Sequence, residues 1–277
     1  MMPSRRFLLA LPALLGAGSA VRALAGPVDP ALDPALWGDL PICRGGLQRI
    51  ADVPQRDAST PVAREADYLE KLGLLEGHLM VGRRLLEAKQ ARLAVPHFGH
   101  PIRELYTFLE PRLAAHRAPG FERELEVMED WAERGNTGTG GAFADAWTAL
   151  APKLAAAKAS IAPGLRADPR FMLEHVALMA YDVASDYGES IERGRIVNIV
   201  EYHDSMGFLL YAQATAAEQR AQGGRAGAEW AEAETVLEEL RSKVYPELLP
   251  SSRPPASVSS VRGRYDQIRA IAARAQA

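Results

Sequence analysis

The segment Asp186–Phe208, "DYGESIERGRIVNIVEYHDSMGF", gathers Asp186, Glu189, Glu192, Glu201, His203 and Asp204 around a short break in a helical pattern. Such a group either finishes a solvated helix end or holds a cation, since imidazole and carboxylate together suit iron, copper or zinc. A second group is "HFGHPIREL", in which His97 and His100 flank a helix start and Glu104 follows one turn later. His100 and Glu104 share a helical face. They read as metal ligands, or as a cap and a carboxylate complementing the positive helix end. His78 lies beside the apolar stripe of an earlier helix, as an inward ligand or as a core histidine satisfied by backbone.

Glu201, His203 and Asp204 fall in the first turn of a helix. The helix dipole alone explains carboxylates there, but it disfavours an imidazolium, which leaves His203 neutral and competent to bind metal. The candidate metal set is therefore His97, His100, His203 and His78, with Glu104 and Glu201 adding charge or hydrogen bonds to the ligands. A further stripe, His175, Asp182, Asp186 and Glu189, runs along one helix opposite its methionines and valines. It reads as the wet side of an amphipathic helix. If it instead packs against another helix, its charges require a cation or a basic partner.

Signatures of catalysis are missing. The chain has no G-x-S-x-G, no H-E-x-x-H and no glycine-rich phosphate loop after a strand. The paired E-x-x-H motifs of di-iron bundles are absent too. Cys43 is the single cysteine, which excludes an intrachain disulfide, a C-x-x-C-H haem attachment and a zinc cysteine cluster. A formal charge of -3 with intermixed signs gives no nucleic-acid footprint. An enzyme is not the expectation.

The 277 residues divide by composition. Residues 1–25 carry Arg5–Arg6, an apolar run and Ala23-Leu24-Ala25, which predicts a cleaved export signal of twin-arginine type and a periplasmic mature protein. Phe7 directly follows the arginine pair, where the usual twin-arginine motif leaves a residue between. Residues 26–62 are rich in Pro, Asp and Gly and read as an extended arm. Residues 63–250 show helical periodicity: Tyr68, Leu72, Leu75, Leu79, Gly82 and Leu86 form one face, and Met172, Val176, Met179, Val183, Tyr187 and Ile191 another. "LAVPHFGHP" reads as a break between helices, and "RGNTGTGG" as a loop near 134–141. Asn198 with Glu201 reads as a capping box. Residues 251–277 are a linker and a last basic helix. Strand signals are nearly absent, so the fold class is all-α, an antiparallel helical bundle. Two similar halves are a further expectation, because His97 and His203 stand at corresponding places in two helix–break–helix segments, as do Gly82 and Gly188. No second long apolar run follows the signal, so the mature chain is not expected to insert stably in a membrane.

The Asp186–Phe208 stretch resembles a segment of helical extracytoplasmic domains attached to bacterial iron-permease proteins. The matching positions are Tyr187, Ile191, Gly194, Ile196, Asn198, Glu201, Tyr202 and Phe208. The earlier "GHLMVGRRLLEAKQARLAVPHFGHPIRELY" is similar to part of related stand-alone periplasmic proteins near the imelysin-like iron-uptake group. The resemblance implies a helical bundle in the cell envelope with a link to metal uptake. The imelysin G-x-H-x-x-E motif is not reproduced, because Gly77 adjoins His78 and Val81 stands where the Glu would be. The R-E-x-x-E helices of the permeases are absent. Neither peptidase nor transport activity carries over.

Two functions are expected from these residues. One is an exported protein that binds a transition metal (iron, copper or zinc) for capture or delivery, with a metal transporter as partner. The other is a non-enzymatic adaptor or structural protein of the envelope, whose "HFGHPIREL" and "IVNIVEYHD" surfaces bind a protein partner while the histidines only cap and pack.

Overall fold

Four helices begin where the sequence supplies a side-chain acceptor. Thr60 accepts from the Ala63 N–H at 3.1 Å, Asp168 from Arg170 at 2.9 Å, Asn198 from Val200 at 3.2 Å and Ser257 from Ser260 at 3.2 Å. Each bond satisfies a donor that the first turn leaves open. Pro61 and Pro169 stand just inside two of these starts, where a missing N–H costs nothing. The computed structural model describes residues 60–275 except Arg225. The expected export signal, nearly all of the arm, and Cys43 lie outside the described residues.

In chain order the elements are α1 (Pro61–Glu87), α2 (Ala91–His100), a π-helical segment (Pro101–Tyr106), α3 (Thr107–Ala115), α4 (Glu122–Glu133) and α5 (Gly141–Ala159). Then follow α6 (Pro163–Arg166), α7 (Pro169–Glu189), a hairpin of β1 (Ile191–Glu192) and β2 (Arg195–Ile196), α8 (Ile199–Gln222), α9 (Gly227–Val244) and α10 (Val258–Arg274). Helices α7, α8, α9 and α10 close a ring in which each packs on two others. Helix α1 lies on α8 and α7, α2 packs on α1 and α4, and α4 packs on α5. The expected stripes of α1 and α7 are buried, from Tyr68 to Leu86 and from Met172 to Tyr187. The chain is an all-α bundle, as its periodicity predicts.

Four local expectations change. "LAVPHFGHP" is helical, and the break comes earlier, at Ala88–Gln90, where Lys89 takes a left-handed φ of 63°. Pro96 sits inside α2. Pro101 has no N–H to offer the His97 carbonyl, and the chain there widens into the π-helical segment. Helix α7 ends at Glu189, before the Ile191 of its expected stripe, and Arg193 and Gly194 make a tight turn with φ of 50° and 73°. Asn198 caps α8 as expected, but its own N–H goes to the Ser190 carbonyl, so the box is one-sided. The polar stripe of α7 is not its wet side, because His175, Asp182 and Asp186 are buried and only Glu189 is exposed. Two similar halves are not shown among the described residues. His203 leads a helix of 24 residues, whereas His97 lies in one of 10 that runs into the π-helical segment.

The contact of α1 with α8 is a backbone contact. A Cβ on Gly77 would lie 2.6 Å from the Phe208 ring and 3.0 Å from the Gly207 carbonyl carbon. One on Gly207 would run into the Gly77 carbonyl. Neither helix can carry a side chain here without separating from the other. Gly207→Ala is expected to destabilise the fold by about 1–3 kcal/mol, the usual cost of overpacking, as measured by urea unfolding. Gly164→Ala, where the added methyl meets nothing within 4 Å, should stay within about 0.5 kcal/mol of the parent.

Candidate metal centre

The Gly77–Gly207 contact sets the place of the site. His78 follows Gly77 on α1, and Asp204 precedes Gly207 by one turn on α8. Helix α2 reaches the same point because Gly82 leaves a flat surface for it. A Cβ on Gly82 would lie 2.9 Å from the Phe98 ring and 3.1 Å from the His97 Cβ. Three helices thus deliver imidazoles to one carboxylate. Asp204 Oδ1 is 2.6 Å from His78 Nδ1 and 2.7 Å from His97 Nδ1. Asp204 Oδ2 is 3.5 Å from His100 Nδ1. His203, next in sequence, turns its Nε2–H to the Leu248 carbonyl at 2.9 Å and sets its ring 5.5 Å from that of His97. The Phe208 ring meets His78 edge-on and supplies an apolar wall.

All these groups are buried; Asp204 is 2% exposed and His97 and His203 are 0%. Burial pushes the His97 imidazole down, against the pull of Asp204. His203 is pushed down to about 3 by burial and by the neighbouring His97, against the Leu248 carbonyl and Asp204. Burial would raise Asp204, but the nearby His78 and His97 and hydrogen bonds from His100 and His78 carry its carboxyl well below the usual range. Positive charge on His97 and the burial of His97 oppose one another. The N–H bonds to Asp204 hold with neutral rings as well, so we take Asp204 as ionised and His97 and His203 as neutral.

His78, His97 and Asp204 each offer a ligand atom within 4.8 Å of the others, and this buried group can hold a metal ion. Two imidazoles and a carboxylate, with a third imidazole beside them, form a donor set for iron(II) or zinc. His97 Nε2, on the ring edge away from Asp204, is buried with no hydrogen-bond partner among the described residues.

Of the candidates read from sequence, His78, His97 and His100 meet at Asp204, and His203 stands against His97. Glu201 is buried on α8, one turn before Asp204 and outside the close group. Glu104 is half-buried on the π-helical segment, also outside it. Asp204 is not in that candidate set, because the sequence reading puts it in the first turn, where the helix dipole accounts for a carboxylate; it is in fact the sixth residue of α8, in the second turn, and Glu201 is the first-turn acid. Its partners lie more than 100 residues away, at separations of 126 and 107, and only the packing of α1 and α2 on α8 reveals them.

A second, largely buried polar group begins at Glu76, two residues before His78 on α1. Glu76 pairs with Lys158 at 2.8 Å. Lys158 stands over the Tyr211 ring, and Tyr211 hydrogen-bonds His175 at 3.1 Å. Burial would lower Lys158, but Glu76 outweighs it and raises it. This group brings its own cation.

The neutral rings make stability depend on pH. An imidazole kept neutral in the fold binds a proton only when the chain unfolds, so stability falls as pH drops below about 6.5 and continues to fall toward 3 for His203. The expected slope is about 1.4 kcal/mol per pH unit for each such ring. Thermal unfolding from pH 7 to pH 4 should show the loss, and His203→Gln should flatten it. An equal slope in parent and variant would contradict the neutral assignment.

No curated protein and no solved structure matches the chain. Residues 163–276 match the iron permease-associated 4-helix bundle domain, and this stretch contains the ring α7–α10. Asp204 and His203 lie inside the match, whereas His78, His97 and His100 come from helices before it. Over residues 163–276, then, this chain carries an iron permease-associated 4-helix bundle domain.

Proposed function

We propose that the protein binds one transition-metal ion as cargo at His78, His97 and Asp204, and captures or delivers it beside an iron permease in the cell envelope. The carrying observation is the buried convergence of three ligand atoms from three helices. The iron permease-associated domain supports iron as the natural cargo. The arginine pair, apolar run and Ala23-Leu24-Ala25 support export to the periplasm with cleavage near Ala25. No described helix is long and apolar enough to cross a membrane. His100, hydrogen-bonded to the same carboxylate, completes the donor set or orients it.

One observation favours a second reading. His78 and His97 already spend their Nδ1 atoms on Asp204, so the group can serve as a staple joining α1, α2 and α8 in an adaptor that holds no metal. Metal-free protein titrated with iron(II), zinc and copper distinguishes the two. Cargo binding predicts one equivalent bound, and added stability of about 2.7 kcal/mol at a hundredfold excess over Kd. Binding should disappear in a His97→Ala/Asp204→Asn double variant. No binding and an unchanged melting temperature would leave the staple. For export, lysines in place of Arg5 and Arg6 should leave uncleaved precursor in the cytoplasm if the twin-arginine route is used, as read by fractionation and mass.

A further inference from the structure

Asp204 and the imidazoles around it are buried, so an ion reaches them only when a wall moves. The walls are held in different ways. Gly77 and Gly207 join α1 to α8 by backbone contact, and opening there means separating two long helices. His97 and His203 are 0% exposed, whereas His78 and His100 each keep 5%. The edge nearest water is therefore the one formed by His78 and His100, whose rings meet edge to face at 5.5 Å.

His100 is held more loosely than its neighbours. Its Nδ1 is 3.5 Å from Asp204 Oδ2, against 2.6 and 2.7 Å to Oδ1 for His78 and His97. It ends α2, and the π-helical segment carries the chain on. Pro101 has no N–H to give the preceding turn, so helical bonding is interrupted next to His100. Two side chains pin the segment at α4. Arg103 pairs with Glu129 at 2.6 Å, and the Tyr106 hydroxyl accepts from the Phe121 N–H at 3.1 Å. The ion pair lies on the backbone of Gly99, because a Cβ there would run into both the Arg103 guanidinium and the Glu129 carboxylate. The Arg103 side chain is 51% exposed, so water competes for the pair and it opens at little cost.

We infer that the π-helical segment, with His100 leading into it, is the gate by which a divalent cation enters and leaves the buried group, and that Arg103–Glu129 is its latch. The inference rests on the proposed metal reading and adds the route of exchange. Opening breaks an exposed ion pair and the long His100–Asp204 contact. It leaves the glycine contact and the shorter bonds of His78 and His97 in place. The latch is closed in the empty and the loaded protein alike, so it sets the speeds of loading and release together and leaves affinity unchanged.

The test is stopped-flow zinc loading of the full chain, and zinc release to excess chromophoric chelator, on the parent, Gly99→Ala, Arg103→Gln and Glu129→Gln. Arg134→Gln, which breaks an exposed pair with Asp130 elsewhere on α4, is the control. Each latch variant should speed loading and release by the same factor, up to about fivefold, the reach of an exposed ion pair. Affinity should not change, and the control should match the parent. The charge-swapped variant Arg103→Glu/Glu129→Arg should return to parental rates. Amide hydrogen exchange on the parent is read alongside, and Ile102–Tyr106 should exchange faster than α1 around Gly77 and α8 around Gly207. Unchanged rates in folded latch variants overturn the gate, as does lower affinity with unchanged loading, which would leave the pair a structural brace. If the latch variants do not fold, exchange at Ile102–Tyr106 as slow as at the glycine contact overturns it. A parent that binds no zinc, iron(II) or copper removes the metal reading and the gate with it.

Discussion

A carboxylate this deeply buried cannot stand alone in the interior, and the arrangement around Asp204 follows from that. The cost of taking its charge out of water is met by N–H donors, which come from two helices other than its own. Those helices must come close, and the glycine contact between α1 and α8 lets them. With Gly77 against Gly207, His78 reaches the Asp204 carboxylate at hydrogen-bond distance. The segment between α9 and α10 then covers the end of α8. The Leu248 carbonyl accepts a hydrogen bond from His203 Nε2–H, Glu247 accepts from the Tyr202 hydroxyl at 3.1 Å, and Ala256 accepts from Tyr187 at 2.8 Å. The "PSSRPPAS" stretch, a plain linker by composition, is therefore adjacent to parts that fix the tautomer of a histidine in the site.

The helices were legible because their signals are local. Thr60-Pro61, Asp168-Pro169 and Asn198 mark starts by chemistry that acts within one turn, and the stripes of α1 and α7 follow the helical period. The same locality misled at "LAVPHFGHP", where two prolines suggested a break. The chain instead kept a short helix through Pro96 and absorbed Pro101 in a π-helical segment. It also misled on α7, where the alternation of polar and apolar faces suggested a wet side. His175 and Asp182 are buried, His175 against Tyr211, because α7 packs on α1, α8 and α10, and a helix covered on several sides has no wet face to spare. In the site, the histidines were visible as residue types, but their common partner was not. An aspartate near a helix start is ordinary, and nothing near it in sequence announces His78 or His97.

The matched domain and the site do not coincide. The four-helix ring brings Asp204 and His203, and α1 and α2 bring the other imidazoles. The ring α7–α10 of this chain holds Asp204 but not His78 or His97, which meet its carboxylate. The candidate metal group of this chain is thus assembled by the ring and the preceding helices together. The extra helices also depart from regular geometry, at Lys89 and across the π-helical segment next to His100. Widened turns of this kind often accompany functional sites.

The central claim is that the imidazoles converge on Asp204 to hold a metal. A crystal structure of the protein grown with saturating iron(II) or zinc, with anomalous scattering recorded at the metal edge, tests it most directly. The account predicts a peak within bonding distance of the Asp204 carboxylate and the imidazoles of His78 and His97. An empty site at saturating metal, with both Nδ1 atoms still hydrogen-bonded to Asp204, would contradict it and leave the cluster as a staple between helices.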